Sequence, residues 1–148
     1  MEQSLLIQNA EMVFDGKVAQ GDLRVVSGAI DTVAPGGGLS PSDNEMVMDA
    51  EGLYLLPGAI DPQVHFREPG QPEKEDIGSG SVAAASGGIT SFLDMPNNVP
   101  SATSITAIQA KIDSAAATAV THHGFFIGAT PNNLGELQAA VGTPDKPN

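Results

Sequence analysis

The chain has 148 residues, of which 18 are acidic and 6 are lysine or arginine, so its formal net charge is −12 with neutral histidines. A field of that sign repels phosphate backbones and anionic lipids, so neither a nucleic acid nor a membrane surface is an expected partner. The absence of cysteine excludes disulfides, thiolate metal sites and a cysteine nucleophile.

The first 56 residues are predicted to form a small β module. Short β-rich runs alternate with turn residues, including Asp15-Gly16 and Ser27-Gly28, and a Ser-Gly step between two such runs is a hairpin signal. The predicted strand pieces are 5–7, 23–26, 30–33, 46–49 and 53–56, with a loop over 35–44.

Strands and helices alternate from residue 57 to residue 148. The predicted strands are 59–66, 89–95 and 123–129. The first predicted helix covers 74–86, with Glu75 and Asp76 in its first turn and a stop at Gly87-Gly88. The second has an apolar stripe of Ile105, Ile108 and Ile112, and the third begins after an N-cap at Thr130 and continues to Gly142, before a turn-rich connection over 143–148. Such alternation predicts a parallel sheet with right-handed crossovers, but three units do not distinguish a barrel from an open sheet.

A row of polar residues marks the end of the first of these strands. Residues two apart on a strand face the same side, so Asp61, Gln63, His65 and Arg67 are expected to line one face. In a β/α barrel that end of a strand faces the active-site mouth. On the residues alone, the row is either a functional site or a strand end hydrated by loops, and Pro62 is unusual for a central strand.

Two segments, LPGAID at 56–61 and VHFREPG at 64–70, closely resemble the metal-site signature of dihydroorotases, a branch of the amidohydrolase superfamily. Shorter segments also stand where that family has them: KED at 74–76, SGGIT at 86–90 and MPN at 95–97. The resemblance covers nearly the whole chain. Its combination of REPG with MPN favours a dihydroorotase over hydantoinase-type relatives.

The resemblance implies an α/β fold in which residues 57–148 form about three units of a partial (β/α)8 TIM barrel. Residues 1–56 would contribute strands to a small β-sandwich module. It also implies one or two zinc ions that activate a water, and hydrolysis of dihydroorotate to carbamoyl aspartate with the reverse ring closure in pyrimidine biosynthesis.

Residue roles follow from the same resemblance. His65 would be a zinc ligand, Arg67 would clamp the substrate carboxylate with its planar fork, and Asn97 would add a hydrogen bond to that carboxylate. Asp61 would support the metal site from outside the ligand shell. The family pattern is His-x-His, so Gln63 stands where a histidine ligand is usual, and an amide oxygen is a poorer zinc ligand than imidazole.

The remaining machinery of the family comes from later strands, so the general base and the further metal ligands are expected beyond residue 148. The chain is therefore predicted to be an inactive N-terminal portion of an enzyme that is a cytoplasmic homo-oligomer when complete. Lys146 lies in a proline-flanked turn and is not expected to bridge metals. His122 and His123 begin the third predicted strand, so structural roles are expected for them.

Two other functions stay open. A catalytically silent homologue with an assembly role is suggested by Gln63, whereas retention of Arg67 and Asn97 argues against it. A related allantoinase or dihydropyrimidinase would share the fold and the metal. Arg67 discriminates here, because substrates of those enzymes lack the ring carboxylate that it would hold.

Overall fold

A computed structural model describes the backbone of residues 3–143 and 146–147 and the side chains of residues 3–141. The chain divides into two compact units, Met1–Pro57 and Gly58–Asn148. Within the described residues, no helix has the length and apolar character needed to cross a bilayer.

The first unit is a five-stranded sheet. Its strands are β1 (Ser4–Phe14), β2 (Lys17–Val26), β3 (Ala29–Pro35), β4 (Met46–Asp49) and β5 (Tyr54–Leu55). The order is β3-β2-β1-β4, and β5 also pairs with β1. Antiparallel hairpins join β1 to β2 and β2 to β3, whereas β4 and β5 run parallel to β1.

The two predicted hairpin turns are confirmed. Asp15 and Gly16 have φ of 50° and 71°, and Ser27 and Gly28 have φ of 52° and 80°. Positive φ at both central residues is the signature of the type I′ turn, whose twist matches that of the flanking strands. The turn chemistry therefore sets the register at the closed end of each hairpin, whereas farther along the strands the register shifts between Ile7 and Ala10 and between Arg24 and Val25.

An ion pair joins β2 to the segment before β4. Arg24 Nε lies 2.8 Å from Glu45 Oε1, and Arg24 Nη2 donates to Glu45 Oε2 at 3.0 Å. The backbone N–H of Ser42 and the hydroxyl of Ser4 also donate to the Glu45 carboxylate. These bonds, led by that from Arg24, lower the pKa of Glu45 to about 2.

The second unit alternates strands and helices as predicted. Its elements are β6 (Ala59–Val64), α1 (Ile77–Ser86), β7 (Ile89–Asp94), α2 (Ile105–Thr118), β8 (His122–Phe125), α3 (Leu134–Ala140), β9 (Gly142–Thr143) and β10 (Lys146–Pro147). The predicted parallel sheet is confirmed, with order β6-β7-β8. The predicted connection over 143–148 instead contributes to a short antiparallel pairing of β9 with β10, and residues 144, 145 and 148 lie outside the described residues.

Two predicted helix starts are wrong. The first helix begins at Ile77 instead of residue 74, because Asp76 is extended and caps the helix by accepting from the N–H of Ser79 at 2.6 Å. The third helix is preceded by Asn133 and not by Thr130. The side chain of Asn133 turns back to accept from the Thr130 N–H at 2.8 Å, which keeps residues 130–133 outside the helix.

The core of the second unit is small and aromatic. Phe66, Ile77, Phe92 and Ala115 are buried together, and the rings of Phe66 and Phe92 meet edge to face with centroids 4.8 Å apart. The predicted isoleucine stripe of α2 lies on a helix, but Ile105 and Ile112 remain 42% and 39% exposed. The buried residues of that helix are Lys111 and Ala115.

Candidate active site

Residues from the ends of two neighbouring parallel strands meet at one edge of the sheet. His65 follows β6 and Asn97 lies just after β7, and parallel strands end on the same side. His65 Nδ1 lies 2.9 Å from Asn97 Oδ1, although 32 residues separate them in the chain. With the amide oxygen as acceptor, Nδ1 carries the imidazole hydrogen and Nε2 carries the free lone pair.

Phe66 separates the two polar residues that follow β6. Its side chain is buried in the core, whereas His65 is exposed and Arg67 is only partly buried. The backbone of Phe66 is held on both sides, since its N–H donates to Asp94 Oδ1 at 3.0 Å and its carbonyl accepts from Asn98 Nδ2 at 3.1 Å. Because the Phe66 side chain points into the core, the side chains of its two neighbours, His65 and Arg67, lie on the side away from the core.

The polar row predicted along this strand is interrupted. The strand ends at Val64 and not at Phe66, and its pairing register shifts between Asp61 and Val64. Proline is tolerated at such irregular strand positions, which accounts for Pro62. The Asp61 carboxylate accepts from the backbone N–H of Gln63 at 3.0 Å, so it shapes the strand end instead of reaching His65.

Arg67 has a fixed backbone, and its side chain has no ion-pair partner in the part of the chain that the structure describes. Its N–H donates to Glu75 O at 3.0 Å and its carbonyl accepts from the N–H of Gln71 at 2.8 Å. Among the side chains of residues 3–141, no carboxylate pairs with its guanidinium, whereas Arg24 is paired with Glu45. A planar guanidinium without an internal acid partner is available to a carboxylate from outside the chain.

A buried ionic cluster lies directly behind this edge, and it was not predicted. Lys111 Nζ is 2.7 Å from Asp94 Oδ2, and neither side chain has any exposure. The ammonium also donates to Asn98 Oδ1 at 2.7 Å and to Met95 O at 3.1 Å, and it lies 5.0 Å from the centroid of the Phe125 ring. Burial raises the pKa of Asp94, against the opposing effect of Lys111.

One sequence signal could have revealed this cluster. Lys111 stands three residues after Ile108 and four before Ala115, which is the spacing of a buried helix face. A lysine in that position is expected to be buried only if it is paired. The MPNN segment supplies the partner, because Asn98 as well as Asn97 follows the strand.

The described residues do not by themselves make a zinc site. No group of three or more histidine, aspartate or glutamate side chains among them is placed to hold a metal ion. Zinc in proteins takes at least three such ligands. His65 offers one nitrogen, and Gln63, which is exposed, offers an amide with no partner in residues 3–141.

The two other histidines are remote from this edge along their strand. His122 and His123 begin β8, as predicted, and therefore lie toward the opposite end of the sheet from His65. The ring of His123 packs beside Phe92 and Phe125, with centroids 6.1 and 5.8 Å away. His123 therefore packs with the aromatic rings of the core.

The family model described as dihydro-orotase-like matches residues 52–143, well over half of the chain, and includes His65, Arg67 and Asn97. The chain belongs to this family. It is 46% identical over 106 residues to a dihydroorotase from Carboxydothermus hydrogenoformans, in a match that covers 70% of the chain and 24% of that relative. It is also 38% identical over 116 residues to an allantoinase from Bacillus velezensis, with 78% and 25% covered.

The fold has a counterpart among solved structures. An L-hydantoinase (dihydropyrimidinase) from Arthrobacter aurescens aligns with a TM-score of 0.85 at 24% identity, covering 94% of this chain and 30% of that one. At this identity the likeness bears on the fold alone. The chain spans about a quarter of the length of the curated relatives it matches.

Proposed function

We propose that the chain forms the first part of the active site of a metal-dependent dihydroorotase. Such an enzyme hydrolyses dihydroorotate to carbamoyl aspartate and catalyses the reverse ring closure, a step of pyrimidine biosynthesis. One observation carries the proposal: Arg67, which has no acid partner among residues 3–141, follows the same strand as His65, and His65 contacts Asn97. Membership of the dihydro-orotase-like family supports it.

Arg67 and Asn97 are suited to bind the ring carboxylate of dihydroorotate. The guanidinium presents two parallel N–H groups to a carboxylate, a geometry that a lysine does not offer. The Asn97 amide oxygen accepts from His65, which leaves the amide N–H groups of Asn97 free to donate to the substrate carboxylate. In a chain with a net charge of −12, such local donors are what an anionic substrate requires.

We further propose that His65, through Nε2, is one ligand of a zinc site in a longer enzyme, with Gln63 as a weaker second candidate. The remaining ligands and the general base would lie beyond residue 148, in line with the fraction of its relatives that the chain spans. When bound, zinc would supply an activated water. The 148-residue chain alone is expected to show no hydrolysis.

Two alternatives have specific support. The allantoinase relative favours a cyclic amidohydrolase whose substrate lacks a ring carboxylate. Gln63, in place of a ligand histidine, favours a silent homologue with an assembly role. Binding experiments separate these three functions, because only the dihydroorotase function requires Arg67 to hold a carboxylate.

The test is a titration of the 148-residue chain with dihydroorotate and with dihydrouracil, which is the same ring without the carboxylate, followed by NMR. We expect dihydroorotate to shift the side-chain signals of Arg67 and Asn97 and to bind at least about tenfold more tightly than dihydrouracil. Arg67→Met should abolish that preference, whereas Lys17→Met, which removes an exposed cation in the first unit, should leave it intact.

Other results would contradict the proposal in different ways. Equal affinity for the two rings, unchanged by Arg67→Met, would indicate a dihydropyrimidinase-type or allantoinase-type site. Binding of neither ring would favour the silent homologue.

A further inference from the structure

We propose that Lys111 is a positioning residue: its buried ammonium sets the spacing between His65 and Asn97 by holding the two loops that carry them. Among the described residues, its ion pair and hydrogen bonds go to Asp94, Met95 and Asn98, and not to His65 or Asn97. Its effect on substrate binding rests on the proposed function, whereas its effect on the His65–Asn97 contact does not.

The Lys111 ammonium holds the loop after β7. It donates to Met95 O at 3.1 Å and to Asn98 Oδ1 at 2.7 Å in this loop, and it forms an ion pair at 2.7 Å with Oδ2 of Asp94, the last residue of the strand. Asn97 lies between Met95 and Asn98 and is therefore bracketed by bonds to one cation.

Asp94 and Asn98 connect that loop to the loop after β6. Asp94 uses its other oxygen to accept from the Phe66 N–H at 3.0 Å. Asn98 uses its amide nitrogen to donate to the carbonyls of Phe66 at 3.1 Å and Glu68 at 2.8 Å. Asp94 and Asn98, whose side chains hydrogen-bond to the backbone next to His65 and Arg67, are thus both oriented by Lys111.

A lysine at this position does what an apolar residue of similar volume cannot. A buried ion pair costs desolvation, and well-packed apolar residues of similar volume are often as stabilising. What an apolar side chain lacks is the ability to orient a carboxylate and an amide. The bond from Lys111 to Asn98 Oδ1 points the amide nitrogen at the two carbonyls, so the cation determines geometry as well as packing.

The test uses Lys111→Met and Asn98→Ala in the 148-residue chain. The first variant removes the cation. The second removes the link to Phe66 and Glu68 but leaves the Lys111–Asp94 pair in place, so no buried charge loses its carboxylate. Lys17→Met is the control for loss of one positive charge.

Two readouts are recorded on each folded protein. Long-range ¹H–¹⁵N correlation of the imidazole reports which nitrogen of His65 carries the hydrogen, and NMR titration reports the affinity for dihydroorotate. We expect both variants to shift the His65 nitrogen signals toward a mixture of tautomers and to weaken dihydroorotate binding about tenfold or more, since small misplacements of binding groups are costly. Lys17→Met should change neither readout.

The outcomes separate this inference from the proposed function. A wild-type His65 spectrum in folded Asn98→Ala would overturn the inference, even if Lys111→Met does not fold. A merely structural lysine would lower stability without moving that spectrum. The unsubstituted chain could fail to bind dihydroorotate while the His65 nitrogen signals still shift in the two variants. That result would overturn the proposed function and support the positioning role.

Discussion

Gly80, on α1, lies so close to the ring of Phe66 that a Cβ atom at position 80 would stand 2.4 Å from Phe66 Cε1. The helix therefore approaches the strand end at the one residue that separates His65 from Arg67. Because the ring is rigid and packed against Phe92, an added methyl group must displace either the helix or the backbone of residues 65–67.

The first prediction follows from this contact. Gly80→Ala should lower the free energy of unfolding by about 1–3 kcal/mol, the usual cost of overpacking, in spite of alanine's better helix propensity. Gly135→Ala in α3 is the matched control, since no atom lies within 4 Å of its added Cβ, and it should be neutral or slightly stabilising. Chemical denaturation of both variants makes the measurement. Equal stabilities would mean that Phe66 is free to move.

The buried pair gives a second prediction. Lys111→Met should cost about 3–5 kcal/mol, because it leaves the Asp94 carboxylate buried without its cation. The double variant Asp94→Asn/Lys111→Met should recover part of that loss, since the introduced amide is neutral and keeps an oxygen for the Phe66 N–H. Denaturation of the two single variants and the double variant measures the coupling. Additive losses would show that the two residues do not interact.

Acid stability should depend on Glu45. The pKa of its carboxyl is lowered from 4.5 to about 2 in the folded chain, so the folded state binds this proton more weakly than the unfolded chain does. The stabilisation is therefore present above pH 4.5 and is lost as the pH falls from about 4.5 toward 2. In Glu45→Gln, the free energy of unfolding should therefore depend less on pH in that window, as measured by chemical denaturation at a series of pH values.

Glu51→Gln, an exposed change in the same unit, serves as the control and should leave the acid profile unchanged. Some slope should remain in Glu45→Gln because of Asp22. The pKa of Asp22 is lowered overall. Burial raises it, but hydrogen bonds from the backbone N–H groups of Asn9, Leu39 and Gly38 outweigh that effect. Profiles of wild type and Glu45→Gln that run parallel would contradict the assignment.

Zinc affinity should respond to residue 63. Gln63→His restores the His-x-His pattern and should tighten zinc binding by the 148-residue chain about tenfold or more, because imidazole is a better zinc ligand than an amide. Isothermal titration with zinc chloride measures this. Gln138→His, at an exposed position of α3, controls for adding a histidine. Tight binding that persists in Gln63→His/His65→Ala would place the metal elsewhere.

Local rules predicted the turns, the alternation of strands and helices and the parallel sheet, because each depends on residues close together in the chain. Two predicted helix starts were wrong because a side chain outside the helix, Asp76 or Asn133, accepts a hydrogen bond from a nearby backbone N–H. The contact between His65 and Asn97 follows from parallel strand ends, so its residues were foreseeable. The Lys111 cluster was missed although the spacing of Lys111 along its helix indicated a buried position, because the acceptors of its ammonium come from a segment distant in sequence.

The alternation around Phe66 has an evolutionary consequence. The fold depends on the buried ring, whereas the chemistry is proposed for the two solvent-facing neighbours, which make no contribution to the aromatic core. Replacement of Arg67 would therefore alter recognition at the proposed site while it leaves the aromatic core in place. The scaffold and the proposed recognition residue can therefore change independently of each other.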